Sequence, residues 1–374
     1  MRILVAGLTG QLGAGVVEAA EDLGFELIPV VRSLHGHRPE QRLERLFADL
    51  PRLREATVEG DVTLPRWGLD DCLDRLAPEV DAVLNVAAET NWAAPARRLT
   101  AVNVLGAVNG RRLAAALTAR HPRCAAYCYA SSVFAAGGRT GLVPEDRFGP
   151  ERNRTAYEQS KWLAEEALLN DPGEEAPPLA IARIGGLLGN SRTGATARRH
   201  SLYLLADRLD HVVGRVLPLD PRGRVDMLPR EQAGEALLRF VGSAVRLACA
   251  EPLIAHVCAG ESAPTTRSLF DTLRALDVYG RVSRPRLVPL PGQASLVASN
   301  QLERFRAFPP RWRNAIEGMR YLTLDRVFER ERLARLLAGQ VPSPPVELIV
   351  RLAFGLDPGP GSRAASPSLA RFAG

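Results

Sequence analysis

The sequence predicts an α/β fold: a doubly wound parallel sheet with a smaller C-terminal lobe. Three observations predict it. Short apolar runs alternate with helix-like segments through the first half, a glycine-punctuated turn follows the first run directly, and the alternation decays beyond about residue 185. Strand–helix alternation of this kind implies parallel strands covered on both faces.

Arg2–Ala6 reads as a first strand, Gln11–Leu23 as a helix and Glu26–Val31 as a second strand. Val80–Val86 and Ala125–Ala130 read as later strands, each short, apolar and bounded by polar or small residues. Leu99–Ala119 and Ala156–Leu169 read as long helices between and after them. Leu179–Arg183 is one more strand, following the turn-forming Asp171-Pro-Gly-Glu-Glu-Ala-Pro-Pro. Beyond it, residues 185–224 are rich in Gly, Arg and Ser/Thr, and residues 250–296 carry several prolines. Leu322–Leu337 is strongly charged with apolar residues at helical spacing, which predicts a late amphipathic helix. From about Asp357 the composition turns to Gly, Pro, Ser and Ala, which predicts a disordered tail over 357–374.

Composition narrows the function classes. The chain has 374 residues, 46% hydrophobic and 24% charged, as an ordinary globular enzyme does. No self-similar period suggests a repeat array, and no apolar run approaches the ~20 residues that span a bilayer. The net charge of +6 comes mainly from arginine and suits an anionic cofactor or an acidic carrier protein. It comes with no aromatic platform or recognition helix, so nucleic acid is not an expected partner. The five cysteines (Cys72, Cys124, Cys128, Cys249, Cys258) complete no metal-ligand set and read as buried, reduced thiols. With no secretory signal visible at Met1-Arg-Ile-Leu-Val-Ala-Gly, the expected compartment is cytoplasmic.

The first strand runs into Gly7-Leu-Thr-Gly10-Gln-Leu-Gly13 and then a helix. Glycines there permit a tight turn and let backbone approach a pyrophosphate, while the helix N-terminus offers N–H groups and its positive dipole end. The fold is therefore of the Rossmann type, and Gly7, Thr9, Gly10, Gln11, Leu12 and Gly13 are expected cofactor contacts. An acidic residue at the end of the second strand would hold the ribose 2′-hydroxyl of NAD, whereas arginine accommodates the 2′-phosphate of NADP. The sequence reads Pro29-Val-Val-Arg32-Ser33, with Arg42 ten residues on, so NADPH is expected. Asp61 and Val62, at a further strand end, would meet the adenine, and Ala87 and Ala88 would let the dinucleotide lie against backbone.

Tyr157-Glu-Gln-Ser-Lys161 places tyrosine and lysine at i and i+4, on one face of a helix. A neighbouring ammonium stabilises a phenolate and lowers a tyrosine pKa. Tyr129-Ala-Ser131-Ser132 ends an apolar strand, and a hydroxyl at the carboxyl end of a parallel strand points into the ligand crevice. Ser132 would bond a substrate oxygen as charge builds there. Asn103 would brace the site or a proton-relay water.

These residues resemble the extended short-chain dehydrogenases over about residues 1–260. Within that group the sequence is most similar to thioester reductases and fatty acyl-CoA reductases of the male-sterility type. The likeness is carried by Arg32–Phe47, by Gly60-Asp61 followed by Trp67-Gly-Leu69, by Ala87–Trp92 and by Arg183-Ile-Gly-Gly-Leu-Leu-Gly-Asn-Ser-Arg-Thr-Gly194. The resemblance implies a nucleotide-binding domain over 1–184, completed by about 225–258, and a substrate lobe from 185–224 and 259–356. It implies Ser132, Tyr157, Lys161 and Asn103 as catalytic residues, with Asn91, Ser131, Gly186 and Ser191 near substrate. Arg192, Arg198 and Arg199 would meet a phosphopantetheine phosphate or simply face solvent. The implied activity is NADPH-dependent reduction of an acyl thioester, on CoA or an acyl carrier protein, to aldehyde or alcohol. The same machinery serves ketoreductases and hydroxysteroid dehydrogenases, and nucleotide-sugar epimerases or dehydratases; a non-enzymatic nucleotide-binding regulator would commonly lose the tyrosine or lysine. Monomer and homodimer stay open.

Overall fold

Seven parallel strands form one sheet in a computed structural model of the chain, which describes residues 1–92, 94–150, 155–171, 176–196, 203, 216–277, 286–289 and 321–359. The strands are β1 (Arg2–Ala6), β2 (Glu26–Val31), β3 (Val58–Glu59), β4 (Ala82–Asn85), β5 (Ala126–Ser132), β6 (Leu179–Ile184) and β7 (Leu253–Val257). Their order across the sheet is β7-β6-β5-β4-β1-β2-β3. Chain direction along the sheet reverses between β1 and β4, the switch point outside which open α/β sheets bind ligands. Register aligns the strand ends there: Ala6 pairs with Asn85, Asn85 with Tyr129, and Ser132 with Ile184.

Alternation along β1 divides the core. Ile3 and Val5 pack into one cluster with helix α1 (Gln11–Ala20) and a long helix at Arg230–Leu247. Leu4 and Ala6 pack into a second cluster on the opposite face, with helices α2 (Gly106–Arg120) and α3 (Ala156–Leu169). That two-sided burial is why these strands read as nearly continuous apolar runs. Cys124 and Cys128 lie in it, and burial pushes the Cys124 thiol up to about 11 and Cys128 further.

The helix expected over Leu99–Ala119 is real but irregular: a short α-helical turn, Ala96–Leu99, passes through a π turn at Thr100–Leu105 before α2 begins. π turns inside helices occur frequently at functional sites. The late amphipathic helix is overturned. Arg326–Phe328 is a strand paired in parallel with Gly141–Val143, and only Glu331–Leu336 is helical. Leu324, Arg326 and Phe328 are buried while Asp325 is exposed, so the period is two there rather than 3.6. Tertiary pairing with a strand far upstream decided the matter. The expected tail lies outside the described residues beyond Gly359, and so do Arg198 and Arg199. Among the described residues no helix is long and apolar enough to cross a membrane.

A buried ion pair stiffens the sheet beside the site. Arg183 on β6 and Glu165 on α3 are 0% and 1% exposed and meet at 2.8 Å. Arg183 also stacks on the Phe148 ring, 3.4 Å from its centroid, and donates to the Asp146 carbonyl at 2.8 Å. Removing one partner of such a pair strands the other charge, so Glu165→Ala is expected to lower stability by about 3–5 kcal/mol. Urea unfolding measures it, and a loss below about 1 kcal/mol would mean the guanidinium is otherwise satisfied.

Candidate active site

A cleft of about 460 Å³ opens along the carboxyl ends of β1, β4, β5 and β6. Its floor is the turn between β1 and α1. Gly7 takes φ +102, and a Cβ there would sit 2.4 Å from the Ala87 amide nitrogen. Only glycine lets the two strand ends approach so closely. α1 begins at Gly10 with no side-chain cap, so its first N–H groups and dipole end face the cleft. Gly7, Thr9, Gly10, Gln11 and Leu12 line it; Gly13 does not, and packs instead under the turn against the Gly7 carbonyl. The Gln11 amide donates to the Leu188 carbonyl at 2.7 Å, tying the turn to the strand that follows β6. These features fit a dinucleotide pyrophosphate.

At one end of the cleft, Arg32 leaves the tip of β2 and Arg42 reaches back from the next helix, donating to the Arg32 carbonyl at 2.7 Å. Burial and the neighbouring Arg32 charge both hold the Arg42 guanidinium below its usual value. The ion pair here, Arg32 to Asp61 at 3.4 Å, is long and partly exposed. Burial tends to raise the Asp61 carboxyl, but hydrogen bonds from Thr63 and the Arg32 charge outweigh it and keep it ionised. Two cations facing the cleft with one loosely held carboxylate fit a further anionic group. Val62, Ala87 and Ala88 line the cleft nearby.

At the other end Ser132, Tyr157 and Lys161 come together on the cleft wall. Thr155 and Glu158 form a reciprocal capping box that starts α3 one residue before Tyr157. Ser132 ends β5, where its hydroxyl donates to the Ile184 carbonyl at 3.4 Å and lies close enough to Tyr157 to counter part of the effect of burial on it. Burial pushes Tyr157 up to about 12, not down as the sequence suggested. The reason is that Lys161 Nζ points elsewhere, to Tyr129 Oη and the Ala130 carbonyl, each at 3.1 Å. A protonated Tyr157 is the form that can donate a proton. Burial drives Lys161 down to about 7, with Glu165 opposing.

Asn103 sits behind this pair rather than on the cleft. Its amide donates to Ser160 Oγ at 2.9 Å and to the Glu89 carbonyl, and its Oδ1 accepts from the Glu89 amide at 2.8 Å. It therefore braces α3 to the loop after β4. Ser131 lines the cleft, but its hydroxyl is turned to Glu165. Gly186 lines the cleft; Asn91 and Ser191 do not, and their backbone amides donate to the Glu89 and Glu231 carboxylates. Arg192 turns its amide to Asn190 Oδ1.

Sequence reasoning missed an aromatic wall. Trp92 and Phe134 line the cleft beside Tyr157, with ring centroids 6.4 and 6.5 Å from it. Tyr321 packs behind them, 4.4 Å from Phe134, and donates to Glu158 Oε1 at 2.6 Å. Phe134 was within reach, two residues after Ser132; Tyr321, arriving from far along the chain, was not. A plainer signal was also overlooked. Among 48 basic Lys and Arg residues, Lys161 is the only lysine in the chain.

Residues 5–237 match the family described as male sterility protein, an NAD-binding domain. The chain is 26% identical over 293 residues to the glycine betaine reductase of Emericella nidulans, covering 73% of this chain and 22% of that protein. It is 28% identical over 215 residues to the L-2-aminoadipate reductase large subunit of Penicillium chrysogenum, covering 52% of this chain and 15% of that protein. The chain thus spans less than a quarter of either relative's length. Among solved structures, the terminal R domain from the myxalamid PKS-NRPS biosynthetic pathway superposes with a TM-score of 0.67 at 23% identity, covering 94% of this chain and 89% of that one. That likeness shows the fold. The match over residues 5–237 shows that the chain belongs to the male sterility family of NAD-binding domains, within the extended short-chain dehydrogenases, and is an NAD(P)-dependent oxidoreductase.

Proposed function

We propose that the protein reduces an acyl thioester, held on CoA or on a carrier protein, to an aldehyde or alcohol with NADPH as reductant. The observation that carries this reading is the meeting of Ser132, Tyr157 and Lys161 on the wall of a glycine-floored cleft whose other end holds Arg32 and Arg42. The relatives bearing reductase names support a reduction, and the likeness to a terminal R domain of a PKS-NRPS pathway supports a carrier-bound substrate. Residues 1–184, with 225–258, would form the cofactor domain.

Bound NADPH would supply the hydride. Gly7, Gly10 and the first turn of α1 would hold its pyrophosphate, and Arg32 and Arg42 its 2′-phosphate. Ser132 and Tyr157 would donate to the substrate carbonyl oxygen, stabilising the charge that builds as the carbon becomes tetrahedral. Tyr157, kept protonated by burial, would give its proton to that oxygen, forming a hemithioacetal; its C–S bond would then break, the hydroxyl proton leaving with the sulfur as thiol and the aldehyde remaining, and an alcohol would need a second NADPH. Lys161 would stabilise the phenolate left behind. Trp92 and Phe134 would exclude water from the reacting carbon and cover the acyl group.

The test follows NADPH absorbance with purified protein against acyl-CoA and acyl-pantetheine thioesters, with simple ketones alongside. Thioester-dependent oxidation is the expected result. Oxidation with ketones alone would move the protein to the ketoreductases. Silence with both, together with NAD released on denaturation, would favour the epimerase or dehydratase class and overturn the proposal.

A further inference from the structure

A chain that carries 48 basic residues as Lys or Arg keeps lysine at one position only. Arginine remains charged under all ordinary conditions and spreads its charge over a planar fork. Lysine offers a compact ammonium that burial can bring into titration range. The surroundings of Lys161 show how that ammonium is held. It is 2% exposed and forms no ion pair among the described residues. Glu165, one turn further along α3, is engaged by Ser131 from β5 and Arg183 from β6. Tyr157, on the same helix, makes no hydrogen bond to Lys161, whose Nζ donates to Tyr129 Oη and the Ala130 carbonyl. What remains is Tyr129 Oη at 3.1 Å, the Ala130 carbonyl at 3.1 Å, and the face of the Tyr129 ring, whose centroid lies 4.9 Å from Nζ.

Tyr129 is 1% exposed, and burial raises its hydroxyl well above the usual tyrosine range, so it stays protonated. Its one proton is directed at the main-chain carbonyl of Asn103, at 3.4 Å, leaving a lone pair for the ammonium. Asn103 lies in the π turn, and its side chain reaches the same helix as the catalytic pair: Asn103 Nδ2 donates to Ser160 Oγ, and Ser160 Oγ donates to the Tyr157 carbonyl at 2.8 Å. One residue therefore anchors both members of the pair, through its amide on one side and its carbonyl on the other.

We propose that Tyr129 is a positioning residue of this site, a neutral tether whose hydroxyl bridges Lys161 Nζ to the Asn103 carbonyl, favours the charged ammonium over the neutral amine and fixes it relative to Tyr157. This assignment rests on the Tyr157–Lys161 reading above. The chain of hydrogen bonds ends on a buried carbonyl, so it holds the lysine and conducts no proton to solvent. A neutral hydroxyl accomplishes this without the fixed charge that a carboxylate would set against a developing phenolate.

The single lysine makes the test direct. Protein grown with ¹³C-labelled lysine gives one side-chain resonance set, whose pH titration reports Lys161 without any turnover or substrate. In the cofactor-free wild type the midpoint is expected near 7. In Tyr129→Phe, which keeps the ring and loses one acceptor, it is expected about one pH unit lower or more. The kcat profile with whichever carbonyl substrate the wild type reduces should lose its high-pH limb by the same interval. Tyr127→Phe is the control: Tyr127 is also buried on β5, but its hydroxyl bonds the Ala107 carbonyl at 2.7 Å, so the Lys161 midpoint should stay in place. Incorporation of 3-fluorotyrosine at position 129 weakens the acceptor without removing it and should shift the midpoint the same way by less. An unmoved midpoint in folded Tyr129→Phe, or an equal shift in Tyr127→Phe, overturns the proposal. Because the titration needs no substrate, this outcome is distinct from failure to find a thioester that the protein reduces.

Discussion

Tyr157→Phe is expected to lower kcat by about 10²–10⁴-fold while leaving NADPH affinity within a few-fold of wild type. The substitution removes one oxygen from a side chain that is buried and framed by Trp92 and Phe134, so packing is retained. On the proposed mechanism, the proton donor and one of the two hydroxyls facing the carbonyl oxygen would be lost; Ser132 would remain and sustain the residual rate. The size of the loss follows from the Tyr157 environment. With its value pushed to about 12, the hydroxyl is fully protonated at neutral pH. Donation in the transition state would thus be its contribution, and a phenylalanine would supply none of it. Single-turnover kinetics, with cofactor fluorescence for binding, separate the two terms. A variant that keeps more than about a tenth of the wild-type kcat would remove Tyr157 from the acid role.

Arg32→Ala combined with Arg42→Ala is expected to weaken NADPH binding by about 10²–10³-fold and to leave NADH binding nearly unchanged. Each guanidinium would contribute a charge-assisted hydrogen bond to a phosphate that NADH lacks. The effect of one alone should be smaller, because Arg42 is tied to the Arg32 carbonyl and can close on the same group. Asp61 sharpens the contrast. It pairs with Arg32 at 3.4 Å, and when Arg32 is gone its carboxylate faces the cleft without that partner and repels the 2′-phosphate. Titration calorimetry with both cofactors reads the result directly. Equal losses for NADPH and NADH would show that the two arginines hold the fold of the β2 tip instead.

Much of this site was legible because its residues are local. Gly7 to Gly13 follow β1 without a break, Arg32 follows β2, Ser132 closes β5, and Tyr157 and Lys161 share one helix face. In a parallel sheet every strand ends on the same rim, so reading strand ends along the chain amounts to reading the cleft. Side-chain direction was less legible. Ser131 and Ser132 are neighbours on one strand, and successive side chains point to opposite faces. Both line the cleft, but the Ser131 hydroxyl is turned to the buried Glu165–Arg183 pair while Ser132 lies beside Tyr157.

By itself the sequence determined the doubly wound sheet, the glycine turn, the arginine pair and the tyrosine–lysine spacing, because each depends on period, conformational freedom or charge within a short stretch of chain. Only the tertiary structure decided which way Lys161 points, what Asn103 anchors, and that Tyr321 meets Glu158 across 163 residues. Those contacts join segments from different elements, and no local pattern encodes a partner brought in by packing. The strand at Arg326–Phe328 belongs with them: its alternation is short and charged, and becomes a strand because Gly141–Val143 offers an edge to pair with.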